Sequence, residues 1–106
     1  MKRYEVRWAS LDPTRGAEMN KTRPAVIVSL DVLNERLRTI TVCPVTSALH
    51  PRWRTRLGIR IGKREAEIAV DQIRTISKDR LGRKLGVLST KEAAALRRLI
   101  VEMYGE

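Results

Sequence analysis

Apolar side chains recur in short runs along most of this chain, and the spacing within each run predicts strands. Residues 5–11, 39–45 and 56–61 mix or alternate apolar and polar positions, as a half-buried strand does. Residues 25–29 form a continuous run rich in β-branched side chains, which is typical of a buried strand, and residues 65–70 are one further candidate. The pattern therefore predicts about five short strands.

Polar residues, prolines and glycines separate these runs. Residues 12–22 and 48–54 are predicted as loops, and the glycines of 82–86 are interpreted as a third loop. Residues 31–34 could form one helical turn. Within the first strand, Trp8 is expected to point into the core.

The end of the chain predicts a helix. Ser89 and Glu92 have the spacing of a capping box, in which each side chain bonds the other residue's backbone N–H. Apolar residues then recur at helical spacing, giving one face made of Leu96, Leu99, Ile100 and Met103. Strands followed by one helix predict a mainly β fold with α (α+β), a small barrel capped by a C-terminal helix.

Composition refines this prediction. A chain of 106 residues is expected to form a single domain, residues 1–106, with a modest core. Phenylalanine is absent, so the core must be built mostly from aliphatic side chains. Small domains of this kind often gain stability from a second subunit, and we expect a homodimer.

Charge points to a class of partner. The net charge of +10 implies a polyanion, and RNA or DNA is the first candidate. The alternative is that the charge serves solubility only. No segment of about 20 apolar residues is present, so no membrane span is expected. The single cysteine, Cys43, excludes an internal disulfide and favours a buried thiol in a protein of the reducing cytoplasm.

Several kinds of active site are disfavoured by residue content. His50 is the only histidine, so a two-histidine acid–base pair is impossible, and no cysteine or histidine cluster could bind zinc. Asp12, Glu18 and Lys21 loosely resemble a metal-nuclease site, but Arg15 competes with a cation there. We predict neither a metal nor another cofactor.

Three ordered segments identify a resemblance. They are residues 11–29, which contain Lys21-Thr22-Arg23-Pro24-Ala25; residues 43–47, Cys-Pro-Val-Thr-Ser; and residues 70–75, Val-Asp-Gln-Ile-Arg-Thr. Together they resemble the MazF/PemK family of toxin endoribonucleases. The resemblance implies an SH3-like barrel and a toxin of a type II toxin–antitoxin system that cleaves single-stranded messenger RNA at specific sequences.

The resemblance also implies catalytic residues. They are Arg23, which precedes Pro24, and Thr46, with Glu18 orienting Arg23 or transferring protons. An arginine fork matches two phosphoryl oxygens at once and suits metal-independent transesterification, which leaves 2′,3′-cyclic phosphate and 5′-hydroxyl ends. The alternatives are a structural ion pair of Arg23 with Glu18 or Asp12, and a Thr46 hydroxyl that only bonds the backbone.

Basic and aromatic residues near these positions are candidates for RNA binding, because phosphates pair with arginine and unpaired bases stack on aromatic rings. Trp53 could equally pack on the barrel. Arg56 and Arg60 extend the basic cluster along the fourth strand. The predicted RNA-binding residues are Arg15, Lys21, Ser47, Arg52, Trp53 and Arg54.

The chain departs from the family pattern at several positions. Asp71 has an acid–base role in some branches, but the supporting arginine and histidine of those branches correspond here to Ala69 and Ala17. Asp71 is therefore interpreted as structural. Tyr4 stands where the family usually has glycine.

Two other functions remain open from the sequence. One is a gyrase poison of the CcdB type, although the chain ends in Tyr104-Gly105-Glu106 rather than in an apolar group. The other is a non-catalytic nucleic-acid-binding module. The family resemblance also implies an antitoxin partner, whose acidic, disordered tail would occupy the RNA groove.

Overall fold

The computed structural model describes residues 1–11 and 22–105. Seven strands and two α-helices lie within these ranges. The strands are β1 (Glu5–Ser10), β2 (Thr22–Ile27), β3 (Thr39–Thr46), β4 (Arg56–Ile61), β5 (Arg64–Ala69), β6 (Arg74–Ser77) and β7 (Leu81–Val87), and the helices are α1 (Asp31–Arg36) and α2 (Thr90–Tyr104). Short 3₁₀ turns, Val70–Gln72 and Lys78–Arg80, flank β6.

The strands form one curled antiparallel sheet in the order β4-β5-β3-β2-β1-β7. Strand β3 is long enough to pair on one edge with two different strands. Its end, Val45 and Thr46, pairs with β5, whereas its first half pairs with β6. This divided pairing curls the sheet into a half-barrel with a helix at its C-terminal end, which confirms the predicted fold class.

The sheet buries apolar residues on both faces. Val26 and Cys43 belong to the core on the face covered by α2, together with Leu96 of that helix. Ala25 and Ile27 belong to a second cluster on the opposite face. Because neighbouring side chains of a strand point to opposite faces, this double burial explains why residues 25–29 are continuously apolar.

The single thiol is buried as predicted. Cys43 has no exposed surface. Burial, assisted by the charge of Asp71, raises the pKa of the thiol to about 12. A thiol that stays protonated at physiological pH is a poor nucleophile, so Cys43 acts as a small core residue.

The predicted loop at residues 82–86 is wrong, because this segment is part of β7. It pairs with β1 with register shifts between Val6 and Arg7 and between Arg7 and Ala9. Glycine within a strand often marks such an irregularity, since it tolerates the local bend. With β6 also present, the described chain has seven strands where the pattern predicted about five.

The C-terminal helix is confirmed in detail. The Ser89 Oγ accepts the backbone N–H of Glu92 at 3.0 Å, and the Glu92 carboxylate accepts the N–H of Ser89 at 2.9 Å. Leu96 is fully buried, and Leu99, Ile100 and Met103 pack against the same core. Within the described ranges, neither helix is long and apolar enough to cross a membrane.

Tyr4 adopts a backbone conformation that favours glycine. Its φ of 73° lies in the left-handed region, which costs a residue with a Cβ about 1–2 kcal/mol. The backbone there is held by bonds from Tyr4 N–H to the Ile27 carbonyl and from Leu88 N–H to the Tyr4 carbonyl. The Tyr4 ring packs on the core and lies beneath the guanidinium of Arg3 at 4.9 Å. These contacts offset the strain.

Candidate active site

A pocket of about 560 Å³ opens at the mouth of the barrel, where β2 begins and β3 ends. Its rim carries Arg23, Thr46 and Ser47, and its floor and walls are mostly apolar. We call it the barrel-mouth pocket. Its lining residues are Trp8, Arg23, Pro24, Val45, Thr46, Ser47, Ala48, Ile61, Arg64, Glu65, Ala66 and Leu85.

The register of β2 against β3 explains why Arg23 and Thr46 meet. Ala25 pairs with Pro44, and Ile27 pairs with Val42. Continued by two residues, the same register places Arg23 opposite Thr46. Residues directly opposite each other in antiparallel strands have Cβ atoms about 4.5–5.5 Å apart on one face. Two residues separated by more than twenty positions therefore share one site.

The hydroxyl of Thr46 has a defined backbone partner. Its Oγ1 accepts the N–H of Ala48 at 3.1 Å, as expected for a strand-end hydroxyl. A hydroxyl that accepts one bond still has its own proton to donate. Thr46 can therefore bond the backbone and donate to a phosphoryl oxygen at the same time.

The other predicted residues are distributed differently. Ser47 lies in the barrel-mouth pocket, whereas Arg52, Trp53 and Arg54 do not line it. Their loop leaves the pocket at Ala48 and runs toward the C-terminal helix, where Arg54 forms an ion pair with Glu102. Three further predicted residues, Arg15, Glu18 and Lys21, lie outside the described residues.

Trp53 and Arg56 belong to a compact side-chain cluster. The rings of His50 and Trp53 stack with centroids 3.8 Å apart and planes 8° from parallel. The guanidinium of Arg56 lies 4.7 Å from the Trp53 ring centroid. The possibility that Trp53 packs on the protein is thus realised, although the residue is still 48% exposed.

Arg56 is held in a buried ionic network, which corrects its predicted place in an exposed basic cluster. Its Nε donates to Asp71 at 2.9 Å, and its Nη1 lies 3.9 Å from Glu67. The side chains of Arg56 and Glu67 are only 7% and 6% exposed. Glu67 also accepts the backbone N–H of His50 at 2.8 Å. In this geometry, Asp71 anchors β4 and Glu67 anchors the loop after β3.

Two residues of the pocket were missed by the sequence analysis. Trp8 was expected in the core, yet it belongs to neither buried cluster and lines the pocket instead. Arg64 begins β5 directly after the tight turn at Gly62, which has a φ of 62°. The glycine following an alternating strand was the available signal for a hairpin, but only the folded sheet brings that hairpin beside β3.

The described residues contain no group of three or more histidine, cysteine, aspartate or glutamate side chains that could hold a metal ion. Asp12 and Glu18, the carboxylates that loosely resemble a metal-nuclease site, are outside those residues. The described polar side chains that line the pocket are two arginines, Arg23 and Arg64, the hydroxyls of Thr46 and Ser47, and the carboxylate of Glu65.

Comparison with known proteins gives consistent results. Residues 2–104 match the family model described as PemK-like, MazF-like toxin of type II toxin-antitoxin system. The chain is 36% identical to Endoribonuclease MazF9 of Mycobacterium tuberculosis, over 91% of this chain and 89% of that protein. It is 34% identical to Endoribonuclease MazF of Staphylococcus saprophyticus, over 87% and 81% respectively.

Solved structures share the fold. MazF from Deinococcus radiodurans superposes with a TM-score of 0.81 at 20% identity, covering 100% of this chain and 97% of that chain. A MazE–MazF structure from the same organism gives a TM-score of 0.83 at 20% identity, covering 99% and 96%. The Mycobacterium tuberculosis toxin MazF-mt6 gives 0.77 at 22% identity, covering 94% and 95%.

Proposed function

The chain belongs to the PemK-like, MazF-like toxins of type II toxin–antitoxin systems and is an endoribonuclease, and we propose that its barrel-mouth pocket cleaves single-stranded messenger RNA at specific sequences. The observation that supports this site is that Arg23, at the start of β2, and Thr46, at the end of β3, line the same pocket. The two alternatives, a gyrase poison and a non-catalytic binding module, find no support in the relatives.

The proposed reaction is transesterification within the RNA. The ribose 2′-hydroxyl loses its proton and attacks the adjacent phosphorus, and the 5′-oxygen of the next nucleotide takes up a proton and leaves. The products carry a 2′,3′-cyclic phosphate and a 5′-hydroxyl. Because the substrate supplies its own nucleophile, the protein needs only to hold the in-line geometry, assist the proton transfers and stabilise the phosphorane.

Each pocket residue has a role in this scheme. The planar donors of Arg23 pair with two phosphoryl oxygens as negative charge develops on them. The Thr46 hydroxyl, held by its bond from Ala48 N–H, donates to a non-bridging oxygen. Ser47, which lines the same pocket, contacts the RNA. By family resemblance, Glu18 orients Arg23 or transfers protons, while Arg15 and Lys21 contact RNA phosphates.

The first prediction is that cleavage does not depend on a metal. The purified protein should cut a long RNA in excess EDTA, and the new ends should be 2′,3′-cyclic phosphate and 5′-hydroxyl groups, identified by mass spectrometry. A substrate with 2′-deoxyribose at the cut position should resist cleavage, because it lacks the nucleophile. Cleavage that disappears in EDTA and returns with magnesium would contradict this mechanism.

The proposed partners follow from charge and from family membership. We propose that the protein is a homodimer, that it acts in the cytoplasm, and that an antitoxin with an acidic, disordered tail inhibits it. One of the solved structures that share the fold is that of MazE–MazF from Deinococcus radiodurans. A chain with a net charge of +10 attracts an acidic peptide and RNA to the same surface.

A second prediction concerns the basic loop after β3. If about four phosphates are neutralised on binding, the logarithm of RNA affinity should fall against the logarithm of salt concentration with a slope of roughly −3. The double variant Arg52→Glu, Arg54→Glu should weaken uncleavable RNA regardless of sequence, because phosphate contacts carry little sequence information. Filter binding of 2′-deoxy-substituted RNA over a salt series measures both effects.

The control for this prediction is Arg36→Glu, which makes the same charge change as each single loop substitution but at the end of α1, a helix that contributes no residue to the pocket. It should change the affinity much less than either substitution in the loop. Loss of antitoxin-peptide affinity in the double variant would indicate that the two ligands overlap. A salt slope near zero, with unchanged affinity in the double variant, would place the RNA on another face.

A further inference from the structure

Trp8 occupies an unusual position for the largest side chain of a small domain. It lies on β1 opposite Pro24, is partly exposed, and belongs to neither of the two core clusters. It lines the barrel-mouth pocket together with Arg23 and Thr46. An indole that does not serve the core but borders the proposed reaction site is available to a ligand.

The second tryptophan makes a useful comparison. Trp53 stacks on His50, lies near the guanidinium of Arg56, and does not line the barrel-mouth pocket. For Trp8, no aromatic or cationic stacking partner is found among the described residues. Of the two tryptophans in the chain, Trp8 is the one that can offer its ring to a base.

The shape and chemistry of the pocket suit a nucleobase. Its apolar walls, Pro24, Val45, Ile61 and Leu85, could not bind a phosphate, whereas a flat, weakly hydrated ring fits among them. The polar rim of Arg23, Thr46 and Ser47 lies at the same opening. Arg64 and Glu65 also line the pocket, and the Glu65 carboxylate pairs with Arg60 at 3.7 Å, whereas no described carboxylate forms an ion pair with Arg64.

We propose that Trp8 forms the stacking wall of a nucleobase subsite in the barrel-mouth pocket, which receives a base that flanks the scissile phosphate. The base stacks on the indole while its phosphate lies at the Arg23–Thr46 rim, and the guanidinium of Arg64 lines the same pocket. This inference rests on the proposed cleavage of RNA at that rim. It shifts the predicted base-stacking role from Trp53 to Trp8.

The test uses a short RNA built around a cut site that is first mapped with the wild-type protein, with 2′-deoxyribose at the cut position to prevent cleavage. Trp8→Ala should weaken binding of this RNA about ten-fold, the loss typical of one base–aromatic stack. Trp8→Phe should retain most of the affinity. Leu37→Ala, which removes an exposed apolar side chain at the opposite end of β3, should leave it unchanged.

Two further measurements separate stacking from a structural role. The first measurement uses a set of RNAs that each carry a single abasic position on one side of the cut. One of them should bind Trp8→Ala and the wild type with equal affinity, because it lacks the base that stacks on Trp8. In the Trp53→Phe background, where Trp8 is the only tryptophan, binding of intact RNA should quench the fluorescence and binding of that abasic RNA should not.

The outcomes are distinguishable. If the wild type cleaves RNA but Trp8→Ala binds it as tightly, or loses the same affinity for every abasic RNA, the subsite is refuted while the proposed function stands. If quenching occurs only with an antitoxin peptide, the pocket receives an apolar side chain and the nucleobase subsite is again refuted. A wild-type protein that neither binds nor cleaves RNA would refute the proposed function itself.

Discussion

Replacing Arg23 by alanine is expected to lower the rate of RNA cleavage by about 100-fold or more, the loss typical of removing one main electrostatic stabiliser of a transition state. Arg23 is the second residue of β2 and is exposed, so its loss creates no cavity in the core. Single-turnover cleavage at saturating RNA measures the effect, since this condition separates the chemical step from binding. Thr46→Ala should lose less, because that hydroxyl positions one oxygen and carries no charge.

The matched control is Arg38→Ala. Arg38 is exposed just before β3, at the opposite end of that strand from Thr46, and it does not line the barrel-mouth pocket. Its rate should stay within about two-fold of the wild type, and the thermal unfolding of all three variants should be similar. An Arg23→Ala protein that cleaves RNA at the wild-type rate would show that the reaction occurs elsewhere.

Replacing Arg56 by alanine is expected to reduce the free energy of unfolding by about 3 kcal/mol or more, because removing one partner of a buried ionic network leaves the other charges uncompensated. Glu67, at 6% exposure, would lose a cation and Asp71 would lose its donor at 2.9 Å. The stack on Trp53 would be lost as well. Urea unfolding followed by far-ultraviolet circular dichroism measures the change.

Arg60→Ala provides the comparison on the same strand. Arg60 pairs with Glu65 at 3.7 Å, but their side chains are 69% and 66% exposed, so the pair contributes about 0.2–1 kcal/mol at most. If Arg56→Ala lowered the free energy of unfolding no more than Arg60→Ala does, the network would be as weak as a surface ion pair. That result would also restore Arg56 as a candidate for binding phosphate.

Some features follow from residues that are close in sequence. Ser89 and Glu92 are three positions apart, and helix geometry alone brings them together, so the cap was predictable. The continuous run at 25–29 was predictable as a buried strand because a strand covered on both faces has no polar side. Arg23 and Thr46 were predicted because each lies in a segment shared with a known family, Arg23 directly before Pro24 and Thr46 two positions after Pro44. Their convergence on one pocket depends on the pairing of two strands.

Other features depended on segments far apart in the chain. Residues 82–86 of β7 were predicted as a loop because their glycines resemble turn residues. In the structure, Lys84 pairs with Arg7, a residue near the other end of the sequence. Backbone pairing of this kind needs little from the side chains, so the local pattern carries no sign of it. Glycine there accommodates the register shifts instead of ending the strand.

The amino-acid sequence by itself determined the strands with apolar periodicity, the capped helix and the buried cysteine, because short-range geometry and side-chain polarity decide these features. Only the tertiary structure decided which charges and rings remain accessible. Arg56 is buried because Glu67 and Asp71 converge on it. Trp8 borders a pocket because β1 places it opposite Pro24, beside the start of β2. Accessibility depends on what other strands place alongside a residue, and that information is not local.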